Sequence, residues 1–172
     1  SQVEYGLTSA YGSATTLNTT LGTAHTVAVA GLTDGTTYHY RVKSKDAAGN
    51  LAASGDASFT TPDTTAPVIS GVAESAITGG GATITWTTDE ASDSQIEYGT
   101  TTTYGSSTTL DASLVNAHSQ TLSSLLSGTT YHYRIKSKDA SGNLATSGDF
   151  TFSTLDITPP ASQVTALASP QS

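Results

Sequence analysis

The side chains able to do chemistry in this chain are few, and most occur twice. His118 and His132 have counterparts in His25 and His39, each pair 93 positions apart. A zinc centre needs three or four converging donors. With four histidines and no cysteine, no such metal site is expected. Asp89, Glu90 and Asp93 supply enough carboxylates for glycoside chemistry, which requires one of a pair to be held in its acid form. Their sequence surroundings are polar, so they read as solvated turn residues. The loop Asp139-Ala140-Ser141-Gly142-Asn143, repeated at Asp46 to Asn50, offers oxygen donors to calcium, as do Asp63 and Asp156. It lacks the fuller alternation of acids of a committed calcium loop. It reads more simply as a hairpin turn with a capping Asp. Neither a glycine-rich phosphate loop nor a Gly-x-Ser-x-Gly elbow occurs. No catalytic, cofactor or metal residues are therefore expected. Asn18-Thr19-Thr20 is a single N-glycosylation sequon.

The most concentrated charge lies in Gly128 to Asp139, which repeats almost unchanged at Gly35 to Asp46 and holds, with its copy, all six basic residues. Alternation at period two divides this stretch into two faces. Tyr131, Tyr133, Ile135 and Ser137 form an apolar set, matched by Tyr38 and Tyr40 in the first copy. Arg134, Lys136 and Lys138, with Arg41, Lys43 and Lys45, form a basic stripe pointing the other way. The stripe has two readings. One is a cross-strand ladder of Glu97 with Arg134 or Lys136, worth under about 1 kcal/mol per exposed pair. The other is a contact surface for an acidic partner or a cell-wall polymer.

These faces belong to strands. Asp63 to Pro67 is a Pro-bearing polar linker. Val68–Val72 reads as a first strand, and Gly79–Gly81 as a turn. Ala82–Thr87 alternates so as to bury Ile84 and Trp86, and Gln95–Tyr98 buries Ile96 and Tyr98. Short strands are expected at Ser106–Leu110 and from His118 to Leu122, then the Tyr131 strand, then Phe150–Ser153. Helical periodicity is absent. The constant 93-residue offset, with roughly three in five positions identical over residues 1–61, is the length of a domain rather than of a solenoid repeat.

The 172 residues carry 35% hydrophobic and 12% charged residues and a net charge of -8. An acidic surface disfavours nucleic acid. No apolar run reaches the ~18 residues of a membrane span. The Ser/Thr-rich, cysteine-free composition fits an extracellular or cell-surface setting, and the start at Ser1 reads as a mature product or a fragment.

Trp86 on the second strand, Tyr98 on the third, and Leu125-x-x-Gly128-Thr129-x-Tyr131-x-Tyr133 resemble a fibronectin type III domain. Ser94-Gln95-Ile96-Glu97-Tyr98-Gly99 with Tyr131-His132-Tyr133-Arg134 is most similar to such domains in secreted bacterial proteins, and also to the non-catalytic N-terminal domain of purple acid phosphatases. The resemblance implies an all-β fold of tandem antiparallel seven-strand sandwiches, immunoglobulin-like, with no catalytic residues. It puts His118 and His132 in opposite sheets and Tyr131 in a corner where its hydroxyl ties back to upstream backbone.

On that template residues 1–61 are a partial copy holding the third to seventh strands, 62–154 a complete domain, and 155–172 a linker and the first strand of a third copy, at Gln163–Leu167. An ordered window of a longer array, a clipped chain, or strand exchange between copies would each account for this. The expected role is a structural or interaction module of an extracellular repeat array: a stalk, adhesin or filament subunit. Its partners would be other copies or adjacent repeats, by strand complementation, or surface glycans. The alternative is an accessory spacer of a secreted multidomain hydrolase.

Overall fold

The computed structural model describes residues 1–161, in strands, turns and irregular backbone with no helix among them. The chain divides into two compact units, Ser1–Thr65 and Ala66–Ser172. The division falls within the Asp63–Pro67 linker. The strand expected at Gln163–Leu167 lies outside the described residues.

The first unit is one antiparallel sheet. It comprises β1 (Gln2–Gly6), β2 (Ser13–Ala14), β3 (Thr37–Lys45), β4 (Leu51–Ala53) and β5 (Ala57–Thr60), in the order β2-β1-β3-β4, with β5 also on β3. Glu4 faces Arg41 across β1 and β3, and Tyr38 faces Phe59 across β3 and β5. Residues 15–36 form no strand.

The second unit contains β6 (Ile69–Ser75), β7 (Ala82–Gly99), β8 (Ser106–Ser107), β9 (Asp111–Leu122), β10 (Thr130–Lys138), β11 (Leu144–Thr146) and β12 (Phe150–Ser153). These are not the seven strands expected. The expected second and third strands run together as the 18-residue β7. The expected strand at Ser106–Leu110 shrinks to two residues. The strand expected from His118 begins instead at Asp111, and β11 was not expected at all. The first half of β7 pairs with β6 and β9, and its second half with β10 and β8. Register shifts in the β7–β9 ladder between Thr87 and Ser92, and again before Ser94, mark where one strand turns from one layer into the other. Strands that switch sheets do so through such bulges.

The result is an antiparallel β-sandwich. Ile84, Trp86 and Leu122 from one layer meet Ile96, Tyr131, Tyr133, Ile135 and Phe152 from the other. Alternation explains this: β10 buries residues 131, 133, 135 and 137 and turns the others outward. Ile84, Ile96 and Ile135 are fully buried, each contributing about 1.5–3 kcal/mol. Tyr131 stacks on Phe152 and Tyr133 on Phe150, at centroid distances of 5.9 and 5.5 Å.

Candidate functional site

The inward face of β10 is built for packing and for satisfying its own polar atoms. The Leu126 N–H donates to the Tyr131 hydroxyl at 3.0 Å, the tie expected for a tyrosine corner. The same bond, Thr33 N–H to Tyr38 at 3.1 Å, recurs in the first unit. Tyr133 is fully buried and its hydroxyl donates to Glu74 at 2.5 Å. Burial, and then the Glu74 carboxylate, push that phenol strongly upward. The indole N–H of Trp86 donates to Ser137 Oγ at 3.1 Å. Tyr98 is half-buried and packs against the same cluster.

On the outward face, Glu97 binds two cations of the stripe. Arg134 Nε donates to it at 2.6 Å and Lys136 Nζ at 3.3 Å. Arg134 foremost, with Lys136, holds the Glu97 carboxyl below its ordinary range against a raising effect of burial. In the first unit Glu4 binds Lys43 at 2.8 Å and Arg41 at 2.6 Å, and its carboxyl is lowered by Lys43 first and Arg41 second. Lys138 and Lys45, the last cations of each stripe, are exposed.

The same face carries a constellation that sequence reasoning missed. The Arg134 guanidinium lies over the Tyr104 ring at 4.7 Å. The Tyr104 hydroxyl donates to Asp149 Oδ1 at 3.1 Å, and Asp149 Oδ2 meets His132 Nδ1 at 2.7 Å. The first unit repeats the arrangement, with Arg41 over Tyr11 at 4.8 Å and His39 on Asp56 at 2.8 Å. Tyr11 and Tyr104 have φ of 64° and 61°, a left-handed conformation uncommon outside glycine. Gly6 and Gly99 make this turn possible, because a Cβ at either would lie 1.5 Å from the tyrosine carbonyl oxygen. The repeated Tyr-Gly pairs at Tyr11-Gly12 and Tyr104-Gly105 were the signal available in the sequence. Every member is engaged with another, which makes the constellation a surface clasp.

The two histidines of the second unit are separated as the resemblance implied, His118 on β9 and His132 on β10. His118 is buried and stacks on Trp86, with centroids 5.0 Å apart and planes at 15°. Its Nε2 lies 3.0 Å from Thr88 Oγ1, and its Nδ1 has no hydrogen-bond partner. Burial lowers its basicity, with Asp111 and Asp93 opposing weakly.

The acidic group departs from expectation. Asp89, Glu90 and Asp93 lie within β7, and Asp93 is buried. Its Oδ1 accepts the Lys138 N–H at 2.7 Å, and Asp89 accepts the Val68 N–H at 2.7 Å. Asp93 thus binds backbone out of water, whereas Asp89 binds backbone while remaining exposed. Asp139 closes its own loop as expected, accepting the Asn143 N–H at 2.8 Å, with Gly142 at φ 94°.

A groove of about 780 Å³ lies in the first unit, lined among others by Leu17, Leu21, His25, Ser44 and Leu51.

No family model matches this chain. Among curated proteins, it is 35% identical over 130 residues to chitinase A1 of Niallia circulans, covering 72% of this chain and 18% of the chitinase. It is equally identical over 135 residues to exoglucanase B of Cellulomonas fimi, covering 72% of this chain and 12% of that enzyme. The chain thus spans less than a fifth of these relatives. Among solved structures, the FN1-FN3 domains of chicken CNTN1 align over 73% of this chain and 45% of theirs, with a TM-score of 0.45 and 18% identity. A fibronectin type III domain of the human KIAA0970 protein aligns over 60% of this chain and 85% of its own, with a TM-score of 0.42 and 19% identity. No helix among the described residues is long and apolar enough to cross a membrane.

Proposed function

We propose that this chain is a non-catalytic spacer of tandem fibronectin type III-like modules from an extracellular glycan-degrading protein. The observation that carries the reading is the stretch of likeness to the chitinase and the exoglucanase. At 130 and 135 residues it exceeds one 93-residue repeat, yet it occupies a small part of each enzyme. The side chains on the page support it. The Glu97, Arg134, Asp149 and His132 groups bind one another, and Asp89 and Asp93 bind backbone. A site for acid–base chemistry would instead hold a proton-transfer group within reach of a substrate.

The test is to incubate the chain with crystalline chitin and with cellulose and measure both soluble sugar and bound protein. No sugar release is expected. Release that falls in an Asp149→Asn or Glu97→Gln variant would overturn the reading.

A second reading, a surface stalk, adhesin or filament subunit, draws on the domain-length period. The full polypeptide discriminates the two: a hydrolase domain beside these repeats favours the spacer, and a run of further 93-residue repeats favours the stalk or filament.

A further inference from the structure

The polar stretch Asp63 to Pro67 has the composition of a flexible tether, yet its first half is tied to the unit it leaves. Asp34 sits in the turn before β3. Its Oδ2 accepts the Thr64 N–H at 3.0 Å, the Thr64 hydroxyl at 2.6 Å and the Thr65 hydroxyl at 3.2 Å. The Thr64 hydroxyl foremost, and then the Thr64 N–H, hold this carboxyl below its ordinary range. Just upstream the chain is still paired: the Thr61 N–H donates to Thr36 O at 3.0 Å, and the Gly35 N–H to Pro62 O at 3.1 Å. Asp63 then bends the linker by accepting the Thr65 N–H at 3.2 Å.

The second unit repeats the arrangement with different chemistry. Asp156, 93 positions after Asp63, accepts the Thr158 N–H at 2.9 Å. The Gly128 N–H donates to Leu155 O at 3.1 Å. Ser127 stands where Asp34 stands. Its hydroxyl donates to Leu155 O at 3.0 Å and accepts the Ile157 N–H at 2.9 Å. A carboxylate in one copy and a hydroxyl in the other thus hold the same backbone amide, that of Thr64 or of Ile157. Each reaches about 30 residues along the chain to do so, so neither bond is a local cap.

We propose that this turn is a latch that makes the outgoing linker part of the repeat it leaves. On the far side, Asp89 of the second unit takes the Val68 N–H, so Ala66 and Pro67 are the two residues between the anchors. An exposed stretch of small polar residues is otherwise a preferred place for proteolytic nicking, and a cut there would sever one repeat from the next. The latch shields that stretch. The inference goes beyond the spacer reading and holds equally for a stalk.

The experiment follows amide exchange by NMR in the 172-residue chain, with cleavage by proteinase K mapped by mass spectrometry. In the natural chain the Thr64 amide should be protected and the linker spared. Asp34→Ala should speed Thr64 exchange about tenfold or more, leave the Thr61 amide unchanged, and admit cuts between Asp63 and Ala66. Asp34→Ser, which copies the second unit, should restore most of the protection. Ser127→Ala is the parallel test where a two-layer core holds the fold: Ile157 exchange should accelerate, and that of Thr154, whose N–H donates to Thr129 O, should not. An unprotected Thr64 amide in the natural chain overturns the proposal, as does equal linker cleavage in the natural and Asp34→Ala chains. Should Asp34→Ala expose the β3 amides throughout, Ser127→Ala decides, and an unchanged Ile157 amide overturns the latch.

Discussion

Tyr131 and His118 show how single polar atoms set the stability of the second unit. Tyr131→Phe removes the acceptor of the Leu126 N–H and leaves a partly buried donor unpaired. A loss of about 1–2 kcal/mol is expected, read as a lower melting temperature; an unchanged melting point would remove the corner from the stability of the fold. His118 makes a pH prediction. Its folded basicity lies below the ordinary value of 6.5 because of burial, so between the two the unfolded chain binds more protons. Stability is therefore complete above pH 6.5 and declines as the pH falls toward the folded value. Denaturant midpoints measured down from pH 7 should show this decline, and His118→Phe should flatten it. The depressed carboxyls of Glu97 and Glu4 act lower, losing their contribution as the pH falls from about 4.5 through their folded values. At this scale much was legible: alternation alone assigned the inward and outward faces of β10. The roles of Asp93 and Asp89 were not legible, because each binds a backbone N–H supplied by chain remote in sequence (Lys138 lies 45 positions from Asp93). Local polarity made both look like solvated turn residues, and only Asp89 is exposed.

Among the elements, β7 is the one that sequence divided and structure joins. Thr88 to Ser94 is polar and breaks the two-residue alternation, so it has the composition of a loop. It remains extended because its side chains replace missing ladder contacts. Ser92 Oγ reaches Thr88, Asp89 and Asp93 bind backbone, and the backbone of Ser92 adds an isolated antiparallel β-bridge to Asp139. Asp93→Ala should cost about 1–3 kcal/mol by orphaning the Lys138 N–H. Exchange of that amide in NMR spectra is the direct measurement, and it should accelerate. The opposite end of β7 depends on close approach. Gly99→Ala places a methyl against the Tyr104 carbonyl, so the turn to β8 must open. A global loss of more than about 2 kcal/mol is expected, with an altered Tyr104 ring environment in aromatic NMR spectra. The strands that matched expectation have clean alternation, as β10 does. Besides β7, those that did not are β8, β9 and β11, whose lengths are set by their partners.

Related sequences form a single sheet in the first unit and a two-layer core in the second. The repeat was plain from the constant offset, and so was the all-β class. The unequal burial of equivalent residues was not, since Val42 and Ile135 look alike in sequence and differ only in what covers them. The second unit closes a two-layer core and the first presents one sheet, so the two should not melt together. Calorimetry should resolve two transitions. Exchange of β3 amides should follow the lower one and exchange of β10 amides the upper, because stability varies with buried apolar contact. A single cooperative transition with coincident β3 and β10 exchange would contradict this.

The stacking of Trp86 on His118 has an optical consequence. Every tyrosine has an equivalent in the other unit, but the indole has none. Emission excited at the red edge of the tryptophan band therefore belongs to the second unit alone. The imidazole 5.0 Å away quenches more strongly once it is charged. Intensity that falls before the emission maximum shifts would time the protonation of His118 ahead of the opening of the core, and the first unit would remain dark throughout.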